Sequence, residues 1–368
     1  MSFEAQYRGR NARWRSLIAG RHTFSEILSQ PDVWPVALRE MSQAPAYQAL
    51  LDERNQRWDW LFVGCGTSFY LAEAAASAWT TVSGRQSRAL PASEVLLFAD
   101  LAKLDPEKTQ AVIISRSGRT SEAVRAAELL NRSFKIPTLG ITCTPESELA
   151  RTCERTLVLP AADEQSLVMT RSFSSMFLAL LHLAAARASN VNISCAIENA
   201  ATALSARVRG FNSQIESFVS KHDFEDFVYL GQGPLFPVAR EAALKITEMS
   251  CSYAQAYHTL EFRHGPKAIV SPRTCLTFFL SDSGMKAECE VMAEMKDLGG
   301  LILAVCNHAT ESVRQSADVV LECLAEMPEI VFPAPFIIPA QLLGLHYGLK
   351  KGLNPDEPTN LSRVVILD

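Results

Sequence analysis

No stretch of this 368-residue chain is apolar for long enough to cross a membrane, since a spanning helix needs about 18 consecutive apolar residues. The chain begins MSFEAQYRGRNARWRS, which lacks the apolar core of a secretory signal. We therefore predict a cytoplasmic protein with no membrane partner.

Other signatures are also missing. The formal net charge is −5 and the pI is about 5.9, so the basic face of a nucleic-acid-binding protein is not expected. The nine cysteines include no C-x-x-C pair, which predicts reduced thiols rather than disulfides. The seven histidines show no H-E-x-x-H spacing, so we predict no metal.

Short apolar runs alternate with helical patterns along the chain. Strand-like runs occur at 58–64, 111–115, 137–142 and 156–160, with helical patterns between them. This alternation predicts an α/β fold with mostly parallel sheets flanked by helices.

The pattern occurs twice. WDWLFVGCG (58–66) resembles FEDFVYLGQG (224–233), and QAVIISRSG (110–118) resembles CLTFFLSDSG (275–284). Two copies, offset by roughly 167 residues, predict two similar α/β domains in tandem.

The predicted organisation has four parts. A long helix at about 172–205 is expected to bridge the two domains, and Pro31 and Pro35 are expected to break the first helices. The four parts are an N-terminal helical extension (1–45), a first domain (46–205), a second domain (206–351) and a C-terminal tail (352–368).

Glycine-rich turns follow the first strand of each copy. GCGTSF and GQGPLF both read G-x-G-x-x-F, with Phe where a dinucleotide-binding turn needs a third glycine. The acidic residue expected about 20 positions later is missing, because Glu94 lies 30 positions beyond Gly64. We predict no nicotinamide cofactor, and no other cofactor.

A hydroxyl-rich loop, SRSGRTS (115–121), joins an apolar strand to a helical pattern. The start of a helix offers free N–H groups and a positive dipole end, and Ser and Thr add neutral donors. This arrangement suits a phosphate, although Ser-rich turns also serve as plain helix caps.

The segment AREAALKITEMS (239–250) predicts a helix with three charges near one stripe. Glu241 and Lys245 are four residues apart, and Lys245 and Glu248 are three apart. A surface salt-bridge helix and a buried helix both fit this spacing. The surrounding apolar residues and the preceding GQG turn favour burial.

The loops GCGTS (64–68) and SRSGRTSE (115–122), together with the repeat, resemble the sugar isomerase (SIS) domain family, which binds phosphosugars. The two-copy arrangement is similar to the isomerase half of glucosamine-6-phosphate synthase. The resemblance covers roughly residues 50–368. It implies two tandem SIS domains, each with a flavodoxin-like sheet.

The family likeness also implies which residues contact the sugar phosphate. It places the phosphate on the Ser loop and the sugar beside the GCGTS turn. The second-copy loop, SDSGMKAE, carries Asp282 and Glu288, which disfavour a phosphate, so one site per chain is expected. The implied substrate-binding residues are Gly66, Thr67, Ser68, Ser115, Arg116, Ser117 and Thr120.

Catalytic roles follow from two further motifs. EAALKITE matches the family pattern E-x-A-L-K-x-x-E, which implies that Glu248 moves the proton between sugar C1 and C2 and that Lys245 assists. EFRHGP (261–266) matches E-x-x-H-G-P, which implies that His264 opens the sugar ring. In the family this His comes from the neighbouring subunit, so the resemblance implies a homodimer with shared active sites.

The chain departs from the synthase at two points. The tail PTNLSRVVI (358–366) has Arg363 where the synthase has a Schiff-base lysine, and a guanidinium cannot form an imine. Arg363 is instead expected to hold substrate oxygens or to close the tail over the site. Only about 50 residues precede the first copy, so we expect no glutaminase domain and a reaction that uses free ammonia, releases it or involves no nitrogen.

The resemblance therefore implies a phosphosugar aldose–ketose isomerase or amino-sugar-6-phosphate deaminase. VMTRSFSSM (168–176) and the Arg-bearing tail look like the branch of stand-alone deaminases and tagatose-6-phosphate isomerases. A fructosamine-6-phosphate deglycase and a non-catalytic phosphosugar-binding regulator remain alternatives.

Overall fold

The computed structural model describes residues 19–53 and 59–367. The predicted parts that lie outside these residues are the start of the N-terminal extension (1–18), residues 54–58 of the first domain, which include Trp58 of the first strand, and the last residue of the tail, Asp368. No helix within the described residues combines the length and the apolar character needed to cross a bilayer.

Within the described residues the strands form two five-stranded sheets. The first sheet contains β1 (Asp59–Gly64), β2 (Ser87–Pro91), β3 (Thr109–Ile114), β4 (Thr138–Thr142) and β5 (Arg155–Val158). The second sheet contains β6 (Asp226–Gly231), β7 (Ala254–His258), β8 (Thr274–Phe279), β9 (Leu301–Cys306) and β10 (Val319–Glu322).

The two sheets have the same topology. The strand orders are β2-β1-β3-β4-β5 and β7-β6-β8-β9-β10, and every neighbouring pair is parallel. The predicted α/β fold and its duplication are therefore confirmed. In this order the chain leaves β1 and β3 in opposite directions, which opens a crevice at their carboxyl ends.

Helices cover both faces of each sheet. The helices before the first sheet are α1 (Arg21–Leu28), α2 (Gln30–Ser42) and α3 (Pro45–Asp52). Those of the first copy are α4 (Thr67–Ser83), α5 (Ala92–Ala102), α6 (Ser121–Glu128), α7 (Glu148–Thr152) and α8 (Arg171–Arg187). Those that follow are α9 (Val191–Lys221), α10 (Phe236–Ser250), α11 (Met285–Asp297), α12 (Glu311–Ser316) and α13 (Pro333–Lys350).

One continuous apolar core joins the two copies. Helices α4, α8, α10 and α13 pack against one another between the sheets. Phe62 and Val112 of the first sheet and Tyr229 and Phe279 of the second belong to the same buried cluster. This shared layer brings α10 of the second copy beside α4 of the first.

Two helix predictions were wrong. The expected helix at about 172–205 is two helices, because Ser189 has a left-handed backbone (φ 55°) and the Asn190 side chain caps the start of α9. Pro35 does not break α2 but lies inside it. The fully buried Trp34, which donates to Ser174 at 2.8 Å, holds that helix against α8, and this packing outweighs the lost hydrogen bond.

Candidate active site

A cleft opens where β1 and β3 diverge. Its walls come from the turn 65–68, the Ser loop 115–120, residues 167 and 169, helix α10 and the tail residues 361–365. Loops of the first sheet, a helix of the second copy and the C-terminal tail therefore meet at the topological switch point of the first sheet. This is the usual position of a ligand in such folds.

The turn after β1 requires glycine. A side chain at Gly64 would place its Cβ 2.4 Å from the carbonyl oxygen of Ser68, so the start of α4 packs directly on the strand end. Gly66 has a left-handed backbone (φ 55°), a conformation that costs glycine little. Gly66, Thr67 and Ser68 all line the cleft, and their contact with a substrate stays a prediction.

The Ser loop presents hydroxyl groups to the same cleft. Ser115 Oγ accepts a hydrogen bond from the Gly118 N–H (3.1 Å), and Ser117 Oγ accepts one from the Arg119 N–H (3.2 Å). The Ser115 hydroxyl itself donates to Thr120 Oγ1 at 3.4 Å, whereas the Ser117 hydroxyl has no acceptor among the described residues and its proton is available for an anion. Thr120 lies at the start of α6 and also lines the cleft. Gly118 has φ 61°, and a Cβ there would meet Ser147 Oγ at 2.1 Å.

The equivalent loop of the second copy carries its own anions. Glu288 accepts from the N–H and Oγ of Ser281 at 2.8 and 3.0 Å. Glu329 accepts from the N–H and Oγ of Ser283 at 3.1 and 2.6 Å. Because these carboxylates occupy the serine donors, the prediction of one sugar site per chain has a physical basis.

Arg116 lies between Ser115 and Ser117, but its guanidinium is engaged elsewhere. Nη1 pairs with Glu164 Oε2 at 3.2 Å, and Nη2 donates to the carbonyl oxygens of Leu167 (3.0 Å) and Arg363 (3.3 Å). The side chain is 5% exposed. Its predicted contact with substrate stays a prediction, and its observed contacts are with the protein.

The three charges of α10 form a buried cluster, as the apolar surroundings suggested. Lys245 Nζ hydrogen-bonds to Glu248 Oε2, lies 3.3 Å from Glu241 Oε1 and donates to Thr67 Oγ1 at 3.0 Å. Lys245 and Glu241 are fully buried, whereas Glu248 is 15% exposed and lines the cleft. Thr67 links this cluster to the turn after β1.

One ammonium among two carboxylates determines where protons reside. Burial raises the pKa of Glu241 to about 8, although the Lys245 charge opposes the shift. Burial acts to lower the pKa of Lys245, but Glu241 and Glu248 outweigh it, so that pKa is raised. Lys245 therefore stays charged, and Glu241 holds a proton more readily than an exposed carboxyl does.

The raised pKa of Glu241 predicts a pH-dependent stability. The folded state keeps a proton there up to about pH 8, whereas the ordinary pKa is 4.5, so stability is fully present below pH 4.5 and is lost as pH rises toward 8. We expect the melting temperature to fall across this window and Glu241→Gln to flatten that fall. The exposed Glu290→Gln is the matched control. An unchanged slope in Glu241→Gln would contradict the assignment.

The C-terminal tail lies along the cleft as an extended segment. The Arg363 guanidinium pairs with Asp163 Oδ1 at 2.6 Å and donates to the carbonyl oxygen of Glu164. Val365 accepts from the Ser121 N–H at 3.2 Å. The observed contacts of Arg363 hold the tail beside the segment 163–164, and both the closing of the tail over the site and a contact with substrate oxygens stay predictions.

His264 lies apart from this cleft in its own chain. The residue is exposed, on the loop between β7 and β8, and is not among the residues that line the cleft. The neighbouring Gly265 has φ 125°, so the sharp turn of the H-G-P motif depends on glycine. The structure therefore brings together the other predicted residues, with Lys245 directly behind Glu248, but not His264.

Sequence reasoning assigned no role in the site to the segment 163–169. Leu167 and Met169 line the cleft, and the buried Glu164 pairs with Arg116. No local pattern identifies Asp163 and Glu164 as part of a site. They lie on the connection between β5 and α8, and their contacts are with Arg116 and Arg363, which are distant along the chain. The family-like stretch that begins at Val168 was the available signal.

Comparison with known proteins shows a single family across the chain. The family model described as SIS domain matches residues 55–186 and again 225–347. A protein of Streptomyces coelicolor assigned as the D-galactosamine-6-phosphate deaminase AgaS is 28% identical over 353 residues, covering 92% of this chain and 91% of that protein. The glutamine–fructose-6-phosphate aminotransferase (isomerizing) of Methanothermobacter thermautotrophicus is 26% identical, covering 83% of this chain but 51% of its own length.

Solved structures show the same arrangement. The glucosamine-6-phosphate deaminase of Thermotoga maritima superposes with a TM-score of 0.76 at 29% identity, covering 94% of this chain and all of that chain. The tagatose-6-phosphate ketose/aldose isomerase of Escherichia coli gives a TM-score of 0.81 at 24% identity, covering 94% and 96%. The second likeness supports the fold. The chain spans about half the length of the aminotransferase relatives that it matches.

Proposed function

Because the chain belongs to the SIS domain family, we propose that it is a phosphosugar isomerase or deaminase acting on a hexose-6-phosphate or amino-sugar-6-phosphate. Relatives named as deaminases of glucosamine-6-phosphate and galactosamine-6-phosphate cover nearly the whole chain, which favours an amino-sugar phosphate.

One observation carries the proposal: a carboxylate and a group of neutral hydroxyls line the same cleft. Glu248 lines the cleft from α10, and the hydroxyls of Ser115, Ser117 and Thr120 line it from the Ser loop. Neutral hydroxyls and the start of α6 suit a phosphate. A sugar phosphate held there would present its other end to Glu248.

Glu248 is the proposed base. Aldose–ketose exchange removes a proton from the carbon next to a carbonyl and returns it to the adjacent carbon. Lys245 hydrogen-bonds to Glu248 and remains charged, so it can stabilise the negative charge that develops on the sugar oxygens. In an amino sugar the same shift gives an imine at C2, whose hydrolysis releases ammonia and leaves a ketose phosphate.

His264 is proposed to act from a partner subunit. It is exposed in its own chain, so a second copy could place this side chain at the cleft without unfolding any element. There it would move a proton between the ring oxygen and a sugar hydroxyl. The site is then complete in a homodimer.

The test is an ammonia-release assay on glucosamine-6-phosphate and galactosamine-6-phosphate, with ketose phosphate measured in parallel. We expect ammonia and ketose phosphate in equal amounts from one of the two sugars, and no reaction with the unphosphorylated amino sugars. Ketose formation from an aldose phosphate without ammonia would indicate a plain isomerase. Hydrolysis of a fructosamine phosphate to an aldose phosphate and its free amine would indicate a deglycase, and binding without turnover a regulator.

A further inference from the structure

Two arginines from distant parts of the chain converge on the segment 163–167. Arg116 of the Ser loop donates to the Leu167 carbonyl oxygen at 3.0 Å. Arg363 of the tail pairs with Asp163 at 2.6 Å and donates to the Glu164 carbonyl oxygen. Arg116 also donates to the Arg363 carbonyl oxygen at 3.3 Å. The Ser loop and the tail are thus joined through one short segment.

The Glu164 carboxylate is the centre of this junction. Oε1 accepts from the N–H and Oγ1 of Thr170 (2.5 and 3.1 Å) and from the Ser172 N–H (3.0 Å). Oε2 accepts from Ser172 Oγ (2.7 Å) and from Arg116 Nη1 (3.2 Å). The carboxylate therefore has five donors, and its side chain is fully buried.

This burial makes the position of the Arg116 side chain depend on the Glu164 carboxylate. A guanidinium that is 5% exposed needs a countercharge, and Glu164 is the carboxylate that contacts it. The donors on Thr170 and Ser172 fix the carboxylate at the start of α8. The position of Glu164 therefore sets the position of the Arg116 side chain, and with it the backbone between Ser115 and Ser117.

We propose that Glu164 is a positioning residue. It acts through Arg116 to hold the phosphate-binding loop and the C-terminal tail in fixed relative positions at the cleft. This inference deepens the proposed function, on which it rests for its ligand. The Arg116 guanidinium then serves as a clamp between protein elements rather than as a ligand of the phosphate.

The test compares Glu164→Gln, Arg116→Met and the double variant. Glutamine retains an oxygen for Thr170 and Ser172 but removes the charge that faces Arg116. We expect the Kd for glucosamine-6-phosphate and for inorganic phosphate, measured by calorimetry, to rise about tenfold in Glu164→Gln, which corresponds to about 1.4 kcal/mol. We also expect faster hydrogen exchange at the tail amides 361–367 in the ligand-free protein.

The double variant separates positioning from plain structural support. If Glu164 acts through Arg116, the double variant loses no more affinity and no more tail protection than Arg116→Met alone. Additive losses would overturn the proposal, because Glu164 would then act independently as the cap of α8. Glu164→Gln leaves the buried Arg116 guanidinium without its countercharge and could fail to fold for that reason. In that case Arg116→Met is compared with the double variant, because neither of these contains the guanidinium.

Glu26→Gln is the matched control. Glu26 is also buried and accepts from the same segment, at the N–H groups of Gln165 (2.5 Å) and Ser166 (3.3 Å) and at Ser166 Oγ. Its hydrogen bonds do not involve Arg116. We expect tail exchange in this variant to match the wild type, and equal loosening in both variants would overturn a specific role for Glu164. Exchange needs no substrate, so it remains decisive even if the ammonia assay is negative.

Discussion

Glu248→Gln is expected to reduce kcat for the sugar phosphate by about 10²- to 10⁴-fold, the range supplied by a positioned acid–base group. Glutamine retains the size of glutamate and an oxygen that can accept from Lys245, but it cannot take up a proton. Phosphate binding is expected to survive, because the Ser loop lies on another wall of the cleft. Turnover and calorimetric Kd, measured on the same preparation, check both halves of this expectation.

The control for Glu248→Gln is Glu290→Gln. Glu290 is exposed on α11 and is not among the residues that line the cleft. Its replacement by glutamine removes the same charge as Glu248→Gln does. It should leave kcat unchanged. Wild-type turnover in Glu248→Gln would remove this carboxylate from the mechanism, whereas a loss of binding equal to the loss of turnover would assign it to substrate holding.

A mixture of Glu248→Gln and His264→Ala is expected to recover activity that neither variant has alone. In a two-fold dimer with shared sites, each mixed dimer contains one intact site and one doubly defective site. Random pairing therefore predicts about a quarter of the wild-type activity. The exposed position of His264, outside the cleft of its own chain, is the structural reason for this expectation.

The mixed-dimer experiment needs proof that mixed dimers form. Two different affinity tags, purified in succession, isolate them, and a His264→Ala protein paired with itself gives the baseline. A purified mixed dimer with baseline activity would place every catalytic group of a site within one chain. A protein that stays monomeric at assay concentrations and remains active would contradict the shared site as well.

Much of the fold could be predicted because its signals are local. The buried parallel strands β3 (TQAVII) and β8 (TCLTFF) are mostly apolar and are buried along their whole length, and Ser-x-Ser-Gly comes soon after each. The edge strands β2 and β7 are half-buried along their whole length and have no such run. They could not be identified in this way, because only pairing with a neighbouring strand defines them. The opposite edge strand β5 was predicted because it does contain an apolar run.

The features of the candidate site also fall into those set by local sequence and those set by tertiary packing. The sequence by itself determined the duplication, the loop that follows each strand, and the spacing that brings Glu241, Lys245 and Glu248 to one helix stripe, since these depend on residues near one another along the chain. The tertiary structure decided which of those charges is buried, because burial depends on the helices packed around α10. It also decided that Arg116 faces Glu164 and the tail, that Glu288 occupies the donors of the second Ser loop, and that His264 lies outside its own cleft. The direction in which a side chain points depends on packing between elements, and the contacts of Arg116 join it to residues that lie 48 and 247 positions away along the chain, so no local pattern encodes them.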